Sequence, residues 1–161
     1  MTKNLTNNDI NYMREALCEA TKAYNALEIP VGAVIVNEFG EIVGRGYNLK
    51  ETTKVPILHA EIVAILNAHK IRKKMYLSNC TIYTTLEPCP MCAAALVNER
   101  ISHIVYALED MKYGACGSAY NLVSDNKLNH RILVRAGVLR EESLNLIKRF
   151  FNQLRNKINE V

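Results

Sequence analysis

The sequence predicts an α/β protein in three layers, with one mixed five-stranded sheet between two helical layers. Three observations carry this expectation. Apolar segments with strand-like and helix-like spacing alternate along the chain. The first two strand segments are separated only by the polar turn Asn37-Glu38-Phe39-Gly40, so they pair as an antiparallel hairpin. Helices separate the next strand segments, and such crossovers join parallel strands.

Each element has its own signal. Residues 9–27 read as a helix capped by Asp9, with Ile10, Met13, Leu17, Ala20, Tyr24 and Leu27 as its apolar face. Pro30 ends it. Residues 31–36 and 41–47 are the arms of the hairpin. Residues 48–58 form a loop that closes on Pro56. A helix then starts near His59, with Ile62, Ile65, Leu66 and His69 on one face. Thr81–Thr85 is the third strand. Pro88 opens the next helix, about Cys89–Glu99. Residues 103–107 and 132–135 supply the last two strands. A long helix runs from about Glu141, with Leu144, Ile147, Phe151, Leu154 and Ile158 as its stripe. No repeat or linker divides the 161 residues, so one domain over 1–161 is expected.

Composition narrows the class. The chain is 49% hydrophobic and 22% charged, the balance of a folded rather than a disordered protein. The segment MTKNLTNNDI has no apolar core of a secretory signal, and no run nears the roughly 18 apolar residues of a membrane span. A cytoplasmic location, with no membrane partner, is the expectation. Five cysteines in such a chain suggest metal ligation or burial rather than disulfides. Cys18, Cys80 and Cys116 are expected to be structural. Charge is uneven: residues 1–111 hold 11 Lys/Arg and 12 Asp/Glu, whereas residues 112–161 hold 9 and 4. The second part offers a basic face suited to a polyanion, or simply a solvated helix surface.

The chemistry sits in two short segments, His59-Ala60-Glu61 and Pro88-Cys89-Pro90-Met91-Cys92. Cysteines at i and i+3 in a first helical turn project to one side. The positive end of the helix favours their thiolate, metal-binding form. His59 makes a third ligand. Structural zinc has four protein ligands as a rule, whereas three and an open position is the catalytic pattern. Glu61 cannot share a helix face with His59 at i+2, so both reach one ion only if it lies over the helix end. Zn²⁺ lowers the pKa of a bound water from about 15.7 towards about 7, and Glu61 can accept the proton and later pass it on. A lone C-x-x-C could equally be a redox pair or half of a structural site. The upstream H-x-E and the strand before the cysteines favour the catalytic zinc site.

At these residues the chain resembles the cytidine deaminase-like superfamily, whose zinc enzymes carry H-x-E followed by P-C-x-x-C. It most resembles the bacterial tRNA-specific adenosine deaminases. The likeness includes Ile29-Pro-Val-Gly-Ala-Val34, Gly46-Tyr-Asn48, His59-Ala-Glu-Ile62, Thr85-Leu-Glu-Pro-Cys-Pro-Met-Cys92, Asp110–Ser118, Asn129-His-Arg131 and Phe150-Phe151. The resemblance implies one Zn²⁺ on His59, Cys89 and Cys92, with Glu61 as proton shuttle. It implies hydrolytic conversion of adenosine to inosine at the wobble position of an arginine tRNA. It further implies that Asn48 bonds the nucleoside, that the Ala60 N–H orients the purine, and that Asp110 lies close to the RNA. The final helix would pack beside the anticodon loop, and two subunits would form a homodimer. One departure is visible. Many relatives have Asp-Pro-Thr-Ala before the histidine, and here Val55-Pro56-Ile57-Leu58 stands.

Other residues have plainer readings. His69 is expected to pack or cap, and His103 to have no chemistry. His130 and Arg131 either touch RNA or stabilise a loop. Arg72-Lys73-Lys74 reads as a solvated run. Phe150 and Phe151 cannot both face one core, because neighbours on a helix diverge by about 100°. Phe151 fits the stripe, which leaves Phe150 as the exposed stacking candidate. A deaminase of free guanine or cytosine, and a non-catalytic zinc-stabilised RNA-binding domain, are the alternatives.

Overall fold

In the computed structural model, residues 7–159 are described, with side chains over 7–157. The reading of the N-terminal segment as lacking a signal falls mostly outside these residues, as does the Ile158 side chain. The elements are α1 (Asn7–Asn25), β1 (Gly32–Val36), β2 (Ile42–Tyr47), α2 (Lys50–Thr53), α3 (Ala60–Arg72), β3 (Thr81–Leu86), α4 (Pro90–Asn98), β4 (His103–Leu108), β5 (Leu133–Ala136) and α5 (Arg140–Asn159). The sheet order is β2-β1-β3-β4-β5. β1 runs antiparallel to both β2 and β3, while β3, β4 and β5 are mutually parallel. The expected mixed five-stranded sheet is therefore present. Among the described residues no helix is long and apolar enough to cross a membrane.

Alternation along the strands builds two cores. Ala33, Ile35, Ile82, Ile104 and Tyr106 face α3 and α4. Val34, Val36, Tyr83, Val105 and Ala107 face α1. Every residue of β1 is buried, because each side chain meets one core or the other. The hairpin turn is fixed by the Asn37 side chain, whose Oδ1 accepts the N–H groups of Phe39 and Glu41.

Helix faces depart from the apolar spacing at several points. α1 buries Met13, Ala16, Ala20 and Ala23, while Leu27 is exposed. Its small residues allow the helix to approach the sheet closely. Asp9, expected as the cap of α1, stands in its first turn. It lies inside the helix, buried, where it accepts the Tyr83 hydroxyl proton and pairs with Arg135. Cys18 is exposed rather than packed. On α3 the buried residues are Ala60, Glu61, Ala64, Ile65 and Ala68, and Leu66 faces out. The reason lies in β2. A Cβ at Gly44 would sit 2.4 Å from the Ala64 carbonyl, and one at Gly46 would sit 2.3 Å from the Ala60 carbonyl. Two glycines facing three alanines draw α3 onto the strand, which sets its rotation. The expected loop 48–58 contains the single turn α2.

The final helix is rotated by one residue from its expected stripe. Ser143 and Phe150 are buried, and Phe151 is 44% exposed. Ser143 occupies a buried position because its hydroxyl donates to the Thr85 carbonyl at 2.6 Å.

Candidate active site

β2 and β3 run in the same direction, with β1 between them. The crossover α3 therefore begins at the carboxyl end of β2, and α4 begins at the carboxyl end of β3. Two helix N-termini meet over one edge of the sheet, the usual place for a ligand in α/β folds. His59 is the N-cap of α3 and Cys89 the N-cap of α4, both with extended backbone (φ −73°, ψ 159° and φ −70°, ψ 171°). Neither side chain makes the capping hydrogen bond, so both stay free for another partner. Pro90, rather than Pro88, occupies the first turn of α4. Its missing N–H costs nothing there.

His59 Nδ1 lies 3.7 Å from the Cys89 Sγ and 3.7 Å from the Cys92 Sγ. The ligand atoms of all three residues fall within 4.8 Å of one another. Tetrahedral zinc with Zn–S about 2.3 Å and Zn–N about 2.0–2.1 Å sets its S···N edges at about 3.5 Å. The arrangement fits zinc: two soft thiolates and one imidazole, already at coordination spacing. Cys92 is buried, whereas His59 and Cys89 are half-buried. The site is thus closed from below and accessible from the His59–Cys89 side.

The protons of this cluster are shared. A hydrogen bond from the Cys92 thiol holds Cys89 down to about 4, with a further contribution from His59. The same bond, with burial, pushes the Cys92 thiol well up. The hydrogen bond to Cys89 raises His59. Cation binding displaces such protons, so affinity falls as pH falls. Glu61 is 4% exposed, and burial raises its carboxyl to about 7. Its carboxyl is close enough to Cys89, His59 and Cys92 to feel their charges and protons. A buried carboxyl poised near neutrality can both take and give a proton.

Two supports hold these helix starts in place. The Asn48 side chain bridges three segments: its Nδ2 donates to the Ile29 carbonyl at 2.9 Å, and its Oδ1 accepts the Ala60 N–H at 3.0 Å. The Ala60 N–H, expected to orient a purine, is engaged by Asn48 in this structure. Asn48 and Ala60 therefore act first as a brace for the ligand-bearing end of α3. The apolar Val55–Leu58 segment keeps its shape through backbone bonds, Leu58 N–H to Val55 and His59 N–H to Ile57. The departure from the family pattern leaves His59 in position.

The second support is Glu87, a member of the Thr85–Cys92 motif for which the sequence offers no role. It is 2% exposed. Its carboxylate accepts the N–H groups of Asp110, Cys116 and Ser118 at 3.1, 2.9 and 3.1 Å. The loop 110–118 is thereby wrapped around a residue two positions before Cys89. Gly114 is required there, because a Cβ would lie 2.3 Å from the carboxylate. The signal for this role was the Glu immediately before Pro88-Cys89, paired with the glycine-containing segment that follows β4.

The remaining expected residues are placed as follows. Asp110 is half-buried, and its Oδ1 accepts the N–H groups of Lys112 and Tyr113, so it shapes the loop. Phe150 is buried to 3% exposure, edge-on to Tyr24 and away from any stacking surface. His69 links Glu99 to the Lys74 carbonyl, as a packed residue should. His130 Nε2 meets the Ile101 carbonyl at 2.7 Å and steadies a loop. Arg72 is not solvated: its side chain is 8% exposed and pairs with Glu38.

Comparison with known proteins agrees with this geometry. Residues 6–108 match a family described as the cytidine and deoxycytidylate deaminase zinc-binding region. A tRNA-specific adenosine deaminase of Bacillus subtilis (strain 168) is 44% identical over 91% of this chain and 90% of its own length. The structure of a tRNA:A34 deaminase, studied for A-to-I editing at the wobble position of transfer RNA, superposes with a TM-score of 0.81 at 34% identity. That match covers 84% of this chain and 98% of that one. The guanine deaminase of Bacillus subtilis superposes less fully, with a TM-score of 0.60 at 36% identity, covering 67% of this chain and 69% of that one. A three-ligand zinc site over two helix starts, on this sheet and with these relatives, means that the chain belongs to the zinc-dependent deaminases of the cytidine and deoxycytidylate deaminase family, in the group of the tRNA-specific adenosine deaminases.

Proposed function

We infer that the chain converts adenosine to inosine at the wobble position of a tRNA, an arginine tRNA in the first instance, in the cytoplasm and as a homodimer. The observation that carries the chemistry is the triad His59, Cys89 and Cys92 beside the buried carboxyl of Glu61. Zinc held by the triad supplies a Lewis acid that makes water nucleophilic near neutral pH. Glu61 would take one proton from the attacking water and give it to the ring nitrogen as the C–O bond forms, then take the proton of the added hydroxyl and give it to the amino group, which leaves as ammonia as the C–N bond breaks. Cys92 and the core beneath exclude bulk water from the lower side, while the half-buried His59 and Cys89 face the incoming base. An adenine in a stacked helix cannot reach such a site, so the target is a loop base or one flipped out.

The choice of RNA over a free base is supported by the fuller match to the tRNA deaminases and by the basic excess after residue 112. Exposed Leu66, Ile71 and Met75 on and after α3 suit a subunit contact. The experiment is incubation of the zinc-loaded protein with an anticodon stem-loop carrying a wobble adenosine, and separately with guanine and cytosine. Inosine in the RNA is the expected result. Turnover of a free base with no inosine in any tRNA would overturn the RNA assignment.

A further inference from the structure

The loop 49–58 joins Asn48 to His59 and so forms one wall of the zinc site. None of its residues is buried, so it has no apolar anchor of its own. Its ends are closed by the Leu49 N–H, which donates to the Leu58 carbonyl at 3.0 Å. Its one helical turn, α2, receives no side-chain cap from Leu49. The N–H groups of that turn go instead to Glu28. One carboxylate oxygen of Glu28 accepts the Glu51 N–H at 3.0 Å, and the other accepts the Thr52 N–H at 2.6 Å. Among the described residues, no other side chain from outside the loop hydrogen-bonds to residues 50–57.

Glu28 is 1% exposed, and the end of α1 puts it there. The Glu28 N–H donates to the Ala23 carbonyl at 2.9 Å, and the Leu27 N–H to the Tyr24 carbonyl at 3.1 Å. These are the two bonds of a Schellman end. Leu27 accordingly stands in the left-handed region (φ 59°), where glycine is the usual choice. The chain accepts a half-exposed leucine there, and the next side chain turns inward. Burial alone would raise the Glu28 carboxyl. The N–H groups of Glu51 and Thr52 and the charge of Lys50 outweigh it and hold the group below its ordinary range. Lys50 is also near enough for its charge to act on His59. The α2 turn thus stands between a buried carboxylate and a metal ligand.

Glu87 holds the loop 110–118 by the same means, and that loop reaches the α4 start through the Ala115 N–H on the Pro88 carbonyl. Both loops beside the ligand-bearing helix starts are therefore wrapped on buried carboxylates. His59 itself is placed separately, through Asn48 and the Ala60 N–H. Loosening the loop 49–58 would disturb what enters the site more than the metal in it.

We propose that Glu28 is a positioning residue for the substrate: its buried carboxylate clamps the α2 turn and so fixes the loop 49–58 as the wall that an incoming RNA loop must meet before its base reaches the zinc. The proposal rests on the RNA reading above. Two N–H donors converge on two oxygens, which only a carboxylate supplies. The carboxamide of glutamine would turn its NH₂ group against one of them.

The test uses the full-length zinc-loaded protein with Glu28→Gln and Glu28→Asp. Glu28→Gln should keep one zinc per chain and speed amide hydrogen exchange at Glu51 and Thr52 by about tenfold, with the strand amides unchanged. For an anticodon stem-loop its KM should rise about tenfold while kcat stays within about threefold, because the lost order acts on binding rather than on the chemical step. Glu28→Asp keeps the two oxygens on a shorter stem and should fall between Glu28→Gln and the parent in exchange and in KM. Should Glu28→Gln fail to fold, Glu28→Asp is read alone, and parent-like exchange and KM in it overturn the proposal. Unchanged exchange at Glu51 and Thr52 in Glu28→Gln overturns the clamp. Faster exchange with an unchanged KM, or a fall in zinc content and kcat with KM unmoved, reduces Glu28 to a structural residue and overturns the positioning role. In all these cases the parent still forms inosine, so the deaminase reading stands. If the parent forms no inosine, that reading fails, and amide exchange together with the dissociation constant of the stem-loop still decides the role of Glu28.

Discussion

The starts of α3 and α4 do the same job with different means. Each places a metal ligand at the N-cap, in extended backbone, without using that side chain to cap. The α4 start carries two ligands on one turn, and the chain's own helical spacing sets their distance. The α3 start carries one ligand and Glu61, the proposed proton carrier, and depends on Asn48 and on the glycines of β2 to lie where it does. One half of the site is therefore local in the chain, and the other is built by tertiary contacts. The difference teaches why a metal motif can be read from sequence while its orientation cannot.

Removing ligands tests this contrast most severely. Cys92→Ala takes a ligand from the local half and should abolish both zinc retention on dialysis and activity. His59→Ala should abolish activity as well, yet retain weak, chelator-sensitive zinc through the remaining C-x-x-C pair. Equal and complete zinc loss in both, measured by elemental analysis, would erase the asymmetry.

Glu61→Gln comes next. It keeps shape and metal but cannot carry a proton, so activity should fall by about 10²–10⁴-fold with one zinc per chain retained. Activity within tenfold of the parent would remove Glu61 from the reaction. The same variant has a pH signature in the zinc-stripped protein. A carboxyl raised from 4.5 to about 7 on folding holds its proton more tightly in the folded state. The stability this confers is complete below about pH 4.5 and is lost as pH rises through about 7. Glu61→Gln should therefore melt higher than the parent at pH 8, with the gap closing towards pH 4.5.

The smallest effect should come from Gly114→Ala, which presses a methyl group into the Glu87 carboxylate and disturbs the support of the α4 start. A cost of about 1–3 kcal/mol, the usual range for overpacking, is expected in denaturant unfolding, with zinc retained. No change in stability would mean that the 110–118 loop shifts freely around Glu87.

The legible parts of the molecule were those with local signatures. The strand-turn-strand pattern, the alternating order and the H-x-E and C-x-x-C spacings gave the sheet and the metal ligands. The Glu87 cradle was hidden because its partners are backbone N–H groups 23 to 31 residues away, which leave no mark in side-chain chemistry. The resemblance makes Asn48 a substrate contact, and its brace across Ile29 and Ala60 is visible only where the fold joins those segments. Phe150 and Phe151 were exchanged for a physical reason. Ser143 is a polar member of the buried stripe of α5, satisfied by the Thr85 carbonyl, and a pattern drawn from apolar residues alone starts one position late.

The uncapped starts of α3 and α4 also set a limit on how far this protein can be optimised for robustness. Ser, Thr, Asp or Asn at an N-cap is worth about 0.5–2 kcal/mol over a residue that cannot cap. Substituting any of them at positions 59 and 89 would therefore be a tempting route to a higher melting temperature. Each such gain would be taken directly from the donor set of the metal. A screen that rewards survival on heating should thus accumulate hydroxyl and carboxylate side chains at these two positions if catalysis is not also selected.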